Sequence, residues 1–242
     1  MTKKILGILG GMGPKATAVF FERVIDRTEA GQDQEHIDIV MLNHASIPDR
    51  TKAILEGKTE AFLQAVERDL RIFETAGVNH IAIPCNTSHY FYDEIQRRTE
   101  IPIINMVEET VKIIHKRYGP ECKVGILATA GTLKSGVYDR VCHQYGLSLY
   151  LPDEGMRRQA MKIIYENVKK HMDVSPEELE SLILSLVEQG CACVILACTE
   201  LSCISLGDEA AVYAVDAMEV LVERAIQLSN KGVKGALITK VE

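Results

Sequence analysis

The chain has 242 residues, of which 47% are hydrophobic and 25% are charged, an ordinary globular composition with room for one large domain or two small ones. No run of about 18 apolar residues occurs, which argues against a membrane-spanning helix. The formal net charge is −7 and no basic run or stripe occurs, which argues against nucleic-acid binding.

Short apolar segments alternate with amphipathic segments along the whole chain. The apolar segments predict strands at residues 4–9, 37–42, 80–83, 102–105, 123–127, 148–151, 193–197 and 212–215. The amphipathic segments predict helices at residues 15–29, 59–75, 90–98, 107–117, 136–145, 156–170, 176–189 and 217–228. This alternation predicts an α/β fold in which parallel sheets are covered by helices.

The first residues, MTKKILGILGG, place two lysines before an apolar run, but that run is short and no cleavage-site pattern follows it. We therefore interpret it as a first strand and expect a cytoplasmic protein. Seven cysteines, an odd number, argue against a disulfide framework. Cys191, Cys193, Cys198 and Cys203 crowd together but lack the spacing of structural zinc sites, so we predict no metal site. Most of the thiols are expected to fill the core.

Two parts of the chain resemble each other. The segment GILGGMG at residues 7–13 resembles GILATAG at 125–131, and IAIPCNT at 81–87 resembles VILACTE at 194–200. Matching features in the same order indicate duplication of one α/β unit, with chance similarity between such units as the alternative. We predict two similar domains, residues 1–118 carrying Cys85 and residues 119–242 carrying Cys198, with terminal segments that can cross between them.

A glycine-rich segment, GMGPKA, follows the first predicted strand and formally matches the dinucleotide fingerprint. That fingerprint also requires an acidic residue at the end of the second strand, where this chain has Leu42 and Asn43. With Pro14 at the first helical position, we interpret the segment, including Met12 and Gly13, as a turn whose backbone N–H groups could hold a carboxylate. A plain tight turn is the alternative.

Cys85 and Cys198 each follow a predicted strand and precede a pattern typical of a helix start. The carboxyl ends of parallel strands form the ligand crevice of an open α/β sheet. The start of a helix also favours a thiolate. For either cysteine alone, a buried structural thiol is the simpler interpretation. Their equivalent positions in two related halves favour two thiols that face each other across one crevice.

Two opposed thiols suit the inversion of a carbon atom that bears a hydrogen. One thiolate removes the proton from one face, and the thiol on the opposite face returns a proton. Pyridoxal phosphate is not required for this reaction, provided that hydrogen bonds and positive charge near the substrate carboxylate stabilise the carbanion. We therefore predict that no cofactor takes part.

The motifs GGMGP, PCNTSH and LACTEL, in this order and over this length, resemble those of the aspartate/glutamate racemase family and are most similar to its cofactor-independent aspartate racemases. The resemblance covers essentially the whole chain. It implies two α/β domains related by pseudo-twofold symmetry, an active site between them, and a homodimer. It also implies that Cys85 and Cys198 are the catalytic pair.

The resemblance further implies two cationic anchors for the two carboxylates of aspartate. The segment SIPDRT resembles the one that supplies a substrate-binding arginine, here Arg50, and VKKH resembles the one that supplies a lysine, here Lys169. Lys162 and Lys170 stay open as alternatives, because His171 stands where relatives often have glycine. On the sequence alone, a solvated surface cation is the simpler interpretation of each.

Further polar side chains lie in loops after predicted strands. The candidate donors to the substrate are Asn86, Thr87, Thr129, Thr132 and Thr199. Capping of their own helices is the alternative, and the two roles are compatible. Glu200 is expected to hold the substrate ammonium group or to tune Cys198. His89 lies one helical turn after Cys85 and is expected to form a hydrogen bond near that thiol.

The leading hypothesis is a racemase that interconverts L- and D-aspartate by proton transfer at Cα, with a small dicarboxylic amino acid as its binding partner. Another enzyme of the superfamily is an alternative: a glutamate or hydantoin racemase, or a maleate isomerase in which one cysteine is a nucleophile. A non-enzymatic alternative is a ligand-binding or redox-sensing protein in which Cys85 and Cys198 form a switchable disulfide.

Overall fold

In the computed structural model, which describes residues 3–235, the apolar segments form two parallel sheets. The strands of the first sheet are β1 (Ile5–Gly10), β2 (Asp38–Asn43) and β3 (His80–Ala82), and those of the second are β4 (Lys123–Ala128), β5 (Ser148–Tyr150), β6 (Cys193–Ala197) and β7 (Ala214–Asp216). Their orders are β2–β1–β3 and β5–β4–β6–β7, and every pairing between these strands is parallel. The predicted two-part α/β fold is confirmed.

Helices cover both sheets. In chain order they are α1 (Pro14–Arg27), α2 (Arg50–Glu56), α3 (Glu60–Thr75), α4 (Tyr92–Gln96), α5 (Met106–Tyr118), α6 (Ala130–Ser135), α7 (Val137–Gln144), α8 (Glu154–Met161), α9 (Pro176–Glu188), α10 (Asp208–Ala211) and α11 (Ala217–Leu228). The sequence did not predict α2, α6 or α10, because 7, 6 and 4 residues are too few to display an amphipathic period. Among the described helices, none is both long and apolar enough to cross a membrane.

The helix predicted at residues 156–170 is interrupted. After α8 the chain forms a π-helix at Lys162–Asn167 and then a short 3₁₀ helix at Val168–Lys170. No glycine or proline marks this change, which is why the sequence pattern missed it. The other predicted elements, apart from residues 102–105, lie within a few residues of the observed ones.

The strand predicted at residues 102–105 is wrong in extent, because only one bridge forms, between Ile103 and Ile81. The N–H of Ile81 donates to the carbonyl of Pro102 and the N–H of Ile104 to that of Ile81, both at 2.9 Å. Pro102 has no N–H to extend the pairing, and Asn105 already caps α5. The bridge lies beside β3 as β7 lies beside β6, so the two halves share one strand order.

Two helices pack on the half of the chain to which they do not belong in sequence. Leu221 of α11 packs in the core that contains Leu6 and Ile8 of β1. Conversely, Val111 of α5 packs with Ile126 of β4. The division of the chain at residue 118 remains a prediction, and residues 1, 2 and 236–242 of the predicted domains lie outside the described part.

Candidate active site

Both predicted thiols lie at the carboxyl ends of strands. Cys198 directly follows β6, and Cys85 follows β3 by three residues. Each is 5% exposed, and both line one narrow cavity between the halves, with a volume of about 10 Å³. That volume has room for about one water molecule. The fold therefore brings the two thiols to the same cavity, while their catalytic role stays a prediction.

The backbone of Cys85 is held by a buried histidine. Cys85 precedes a 3₁₀ helix at Asn86–Phe91, and Nδ1 of His89 lies 2.9 Å from the Cys85 carbonyl oxygen. The N–H of Met106 donates to Nε2 of His89 at 3.1 Å, so Nε2 accepts and Nδ1 carries the proton. Burial lowers the pKa of His89, which keeps this ring neutral. His89 thus positions the Cys85 backbone and does not touch its thiol through these bonds.

Cys198 is held as a neutral thiol. Burial raises the pKa of Cys198 well above its ordinary value, the Glu200 carboxylate raises it further, and Lys169 opposes both. The thiol donates a hydrogen bond to Oε2 of Glu200 at 2.9 Å. The expectation of a helix start that favours this thiolate is wrong, since a turn and a 3₁₀ helix at Leu201–Cys203 follow Cys198.

Of the three candidate lysines, Lys169 faces the cavity, whereas Lys162 and Lys170 are exposed. Its Nζ lies 3.4 Å from Oε1 of Glu200 and 4.8 Å from the centre of the Tyr165 ring. Burial lowers the pKa of Lys169, but the negative charge of Glu200 is the largest influence that raises it, and the net shift is upward. Lys169 is therefore a charged ammonium group beside both Glu200 and Cys198.

The backbone at His171 has a conformation that glycine favours. His171 has φ +57°, in the left-handed region that glycine adopts without steric penalty. Glycine would fit this position better than histidine. The choice of Lys169 as the family's lysine stays a prediction.

Arg50, the first residue of α2, is 6% exposed. Its guanidinium donates to the carbonyl oxygens of Pro48 at 2.9 Å and of Met12 at 3.2 Å. No ion pair links Arg50 to a carboxylate within residues 3–235. A buried, uncompensated cation is costly unless a ligand supplies the anion.

Four threonine hydroxyl groups meet beside the thiols. Thr87 contacts Thr132 at 2.8 Å and Thr129 at 3.1 Å, and Thr129 contacts Thr132 at 3.1 Å. Thr51 donates to Thr129 at 3.3 Å, joining α2 to this cluster. Thr129 also caps α6, as the structural alternative predicted. These hydroxyl groups bridge the two halves, and their use by a substrate remains a proposal.

Asn86 and Thr199 bind groups across the boundary between the halves. Tyr138 donates to Oδ1 of Asn86 at 2.5 Å, which directs the amide nitrogen away from that hydroxyl group. Thr199 donates to the carbonyl oxygen of Pro84 at 3.2 Å. The hydroxyl of Thr199 is thus occupied in holding the Cys198 loop against the Cys85 loop.

The glycine-rich turn shapes the site mainly through its backbone. The N–H of Gly11 donates to Oγ1 of Thr17 at 2.9 Å, so that group is already bonded within the turn. Met12, which is 2% exposed, contributes its carbonyl to Arg50. A Cβ atom at Gly13 would lie 3.1 Å from Oε1 of Glu200, so glycine lets α1 begin close to that carboxylate.

A second cavity, of about 260 Å³, lies at the mouth of the site. Arg50, Lys169 and Glu200 line both this mouth cavity and the narrow cavity between the thiols. Lys15 and His171 line its outer part. Asp49 also lines both cavities, so a ligand that enters through the mouth meets three cations and two carboxylates before it reaches the thiols.

Within residues 3–235, three buried side-chain polar atoms make no hydrogen bond: Nε of Arg50, Nδ2 of Asn86 and Oε1 of Glu200, the last of which has only the 3.4 Å ion pair with Lys169. All three side chains line the cavity between the thiols. Unpartnered buried polar atoms are rare in folded proteins. Two donors and one acceptor around one cavity are complementary to a carboxylate and an ammonium group. Among these residues, no cluster of His, Cys, Asp and Glu is arranged to hold a metal ion.

The sequence analysis missed three residues that line the cavity: Asp49, Thr51 and Tyr165. Asp49 and Thr51 flank Arg50 in the SIPDRT segment, where the resemblance pointed only to the arginine. The Tyr165 hydroxyl lies 3.3 Å from Oδ2 of Asp49, a contact between residues 116 positions apart. One available signal was the position of Tyr165, four residues before Lys169.

Comparisons with known proteins bear on the family and the fold. Residues 9–225 match the model of the family described as Asp/Glu/Hydantoin racemase. The chain is 28% identical to the broad specificity amino-acid racemase RacX of Bacillus subtilis (strain 168), over 92% of this chain and 96% of that protein. Its fold is similar to that of the Picrophilus torridus aspartate racemase, with TM-score 0.82, 28% identity and 96% coverage of both chains.

A third similarity concerns the fold alone. An aspartate racemase homologue from Pyrococcus horikoshii OT3 has a TM-score of 0.76 at 24% identity, with 95% of this chain and 100% of that chain covered.

Proposed function

Because the chain belongs to the Asp/Glu/Hydantoin racemase family, we propose that it interconverts L- and D-aspartate without pyridoxal phosphate. The observation that carries this proposal is the set of buried polar atoms of Arg50, Asn86 and Glu200 that line the cavity between the two thiols and make no hydrogen bond. Buried groups of this kind are satisfied when a zwitterionic ligand supplies the missing partners. The similarity to the Picrophilus torridus aspartate racemase favours aspartate.

In the proposed reaction, Cys85 and Cys198 act on opposite faces of Cα. Cys198 is a neutral thiol, so we assign it the role of the acid in one direction and assign Cys85 the role of the base. The Cα proton passes to the sulfur of Cys85, and the proton on the sulfur of Cys198 passes to the other face. Cys198 is then the thiolate, beside the ammonium group of Lys169, and the reverse reaction uses the two sulfurs in exchanged roles.

The two carboxylates and the ammonium group of aspartate each have a proposed partner. Arg50 and Asn86 donate to the α-carboxylate, where negative charge accumulates as the Cα proton leaves. Lys169 binds the side-chain carboxylate at the mouth of the site. Glu200 accepts from the substrate ammonium group through Oε1. The threonine hydroxyl groups of Thr87, Thr129 and Thr132 and the turn at Met12 and Gly13 enclose the substrate.

The test is incubation with L-aspartate in D₂O, with reductant and without added cofactor. Optical rotation and the α-hydrogen signal are followed together. We expect racemisation with deuterium uptake at Cα. Absence of exchange would exclude aspartate as a substrate.

A broader substrate range is a second candidate, favoured by the 28% identity to a racemase named for broad specificity. The mouth cavity of about 260 Å³ is much larger than the cavity between the thiols, so side chains longer than that of aspartate have room there. Initial rates across acidic, neutral and basic amino acids separate the two candidates. A rate for aspartate well above the others supports the narrow assignment, and comparable rates support the broad one.

We also propose a homodimer in the cytoplasm. The edge strand β2 leaves Met41 40% exposed, and Ile39 is only partly buried, so an apolar edge is available to a second copy. All seven cysteines are free, as expected in a reducing compartment. Sedimentation equilibrium tests the dimer, and a monomer at micromolar concentration would contradict it.

A further inference from the structure

The loop that carries Cys198 is held by residues that do not line the cavity between the thiols. Its 3₁₀ turn begins directly after Glu200, and the N–H of Cys203 donates to the Glu200 carbonyl at 3.1 Å. In the middle of that turn, Ser202 donates through its hydroxyl to Oδ1 of Asp216 at 2.6 Å. Any group that fixes Ser202 therefore also fixes Glu200, two residues earlier, through one rigid turn.

Arg23 of α1 is such a group. Its Nη2 donates to the carbonyl oxygen of Ser202. Its Nη1 lies 2.8 Å from Oδ2 of Asp216 and 2.9 Å from Oε1 of Glu219. These carboxylates belong to the first turn of α11 and its cap, so three elements converge on one guanidinium. Arginine, with its planar fork of donors, can bind a carbonyl and two carboxylates at once.

We propose that Arg23 is a positioning residue for Cys198 and Glu200. The inference rests on the proposed function, since it assigns Arg23 a part in proton transfer at Cα. Arg23 does not line the cavity between the thiols and acts through Ser202. Because α1 also begins at Gly13, beside Glu200, a single helix supports the loop at two points.

The chain offers a matched control on the same helix. Arg27 lies one turn after Arg23 and pairs with Glu219 at 2.5 Å. Arg27 bonds to Glu219, Glu223 and the carbonyl oxygens of Lys234 and Gly235, and within residues 3–235 none of these partners belongs to the Cys198 loop. Loss of either arginine removes an ion pair between α1 and α11, but only loss of Arg23 also removes a bond to the Cys198 loop.

The first experiment compares the kinetics of R23M, R23K and R27M with those of the wild type. Misplacement of a catalytic group by about 1 Å can lower a rate about 100-fold, so we expect R23M to lower kcat by about 10- to 100-fold with little change in KM. R23K keeps a cation near Asp216 and should recover part of that loss. R27M should stay near wild type. Wild-type kcat in folded R23M, or an equal loss in R27M, would overturn the proposal.

The second experiment needs no substrate. Iodoacetamide alkylation of Cys198 and Cys85 is followed by peptide mass spectrometry in each folded variant. A freed loop opens more often, so R23M should raise the rate at Cys198 by about tenfold while Cys85 changes little. If the wild type racemises nothing but R23M shows this increase, the proposed function fails and the positioning by Arg23 stands. Equal alkylation of Cys198 in R23M and R27M overturns the positioning. If R23M does not fold, R23K carries both measurements.

Discussion

The Sγ atom of Cys198 donates a hydrogen bond to Oε2 of Glu200 at 2.9 Å, and both side chains are buried. We expect Glu200→Gln to lower the pKa of Cys198, because the amide keeps the shape but removes the negative charge that disfavours the thiolate. Burial, the largest cause of the raised pKa, is unchanged, so the pKa stays above its ordinary value. The pH at which alkylation of Cys198 reaches half its maximal rate should therefore fall.

Cys193 is the internal control for this measurement. It lies on β6, is 0% exposed, and has a pKa that burial raises without help from Glu200. Its alkylation profile should be the same in both proteins. If the pH dependence of Cys198 alkylation is the same in Glu200→Gln as in the wild type, Glu200 does not affect the pKa of this thiol.

Replacement of either thiol should remove the proposed proton transfer. General acid–base groups typically contribute about 10²- to 10⁴-fold to a rate, so we expect C85A and C198A each to lower racemisation by at least about 100-fold. C142A is the matched control, because Cys142 is 0% exposed but belongs to the core around β4. Racemisation near wild type in either single active-site variant would exclude the two-thiol assignment.

Arg50→Met should weaken binding of the substrate carboxylate. A hydrogen bond to a charged group contributes about 1.5–3 kcal/mol, equivalent to about a 10- to 150-fold weaker affinity. We expect L-aspartate to raise the melting temperature of the wild type, since ligand bound to the native state stabilises it, and to leave R50M nearly unchanged. R97M alters an exposed arginine and should respond like the wild type. An equal ligand shift in R50M would remove Arg50 from the site.

Two adjacent lysines give a sharp test of the second anchor. Lys169 lies 3.4 Å from Glu200, whereas Lys170 is exposed. We expect K169M to lower kcat/KM for aspartate by about 10- to 100-fold, because a charge-assisted contact is lost, and K170M to have little effect. An equal loss of kcat/KM in both variants would indicate that the overall positive charge around the mouth cavity matters, and not a specific contact of Lys169.

Buried thiols predict a loss of stability in alkali. Burial raises the pKa of Cys142 from 9.0 to about 12. A raised folded-state pKa contributes stability that is complete below pH 9 and is lost as pH rises towards 12, by about 1.4 kcal/mol per pH unit. C142A should therefore lose less stability than wild type between pH 9 and 11, as measured by urea unfolding. If the free energy of unfolding falls equally with pH in C142A and in the wild type, ionisation of Cys142 does not cause the loss of stability.

The sequence was most informative where a short local pattern determines the structure. Cys85 and Cys198 could be placed at strand ends because an apolar run changes to polar residues at each. The lysine could be placed only by resemblance, since the break in the helix after Met161 decides which side chains face inward. The contact between Asp49 and Tyr165 spans 116 positions, which no local pattern encodes. The raised pKa of Cys198 likewise depends on burial that only the folded chain provides.

The exchange of α5 and α11 between the sheets has a consequence for how the molecule can come apart. A chain cut after residue 118 would leave the first fragment without α11, which covers β1, and would leave the second without α5, which covers β4. We expect neither fragment to fold alone and the two to complement each other when mixed. The same interlock opposes a hinge between independent lobes. Because the cavity between the thiols has room for about one water molecule, we expect substrate entry to displace part of the cavity wall, to which Tyr165 and Lys169 contribute.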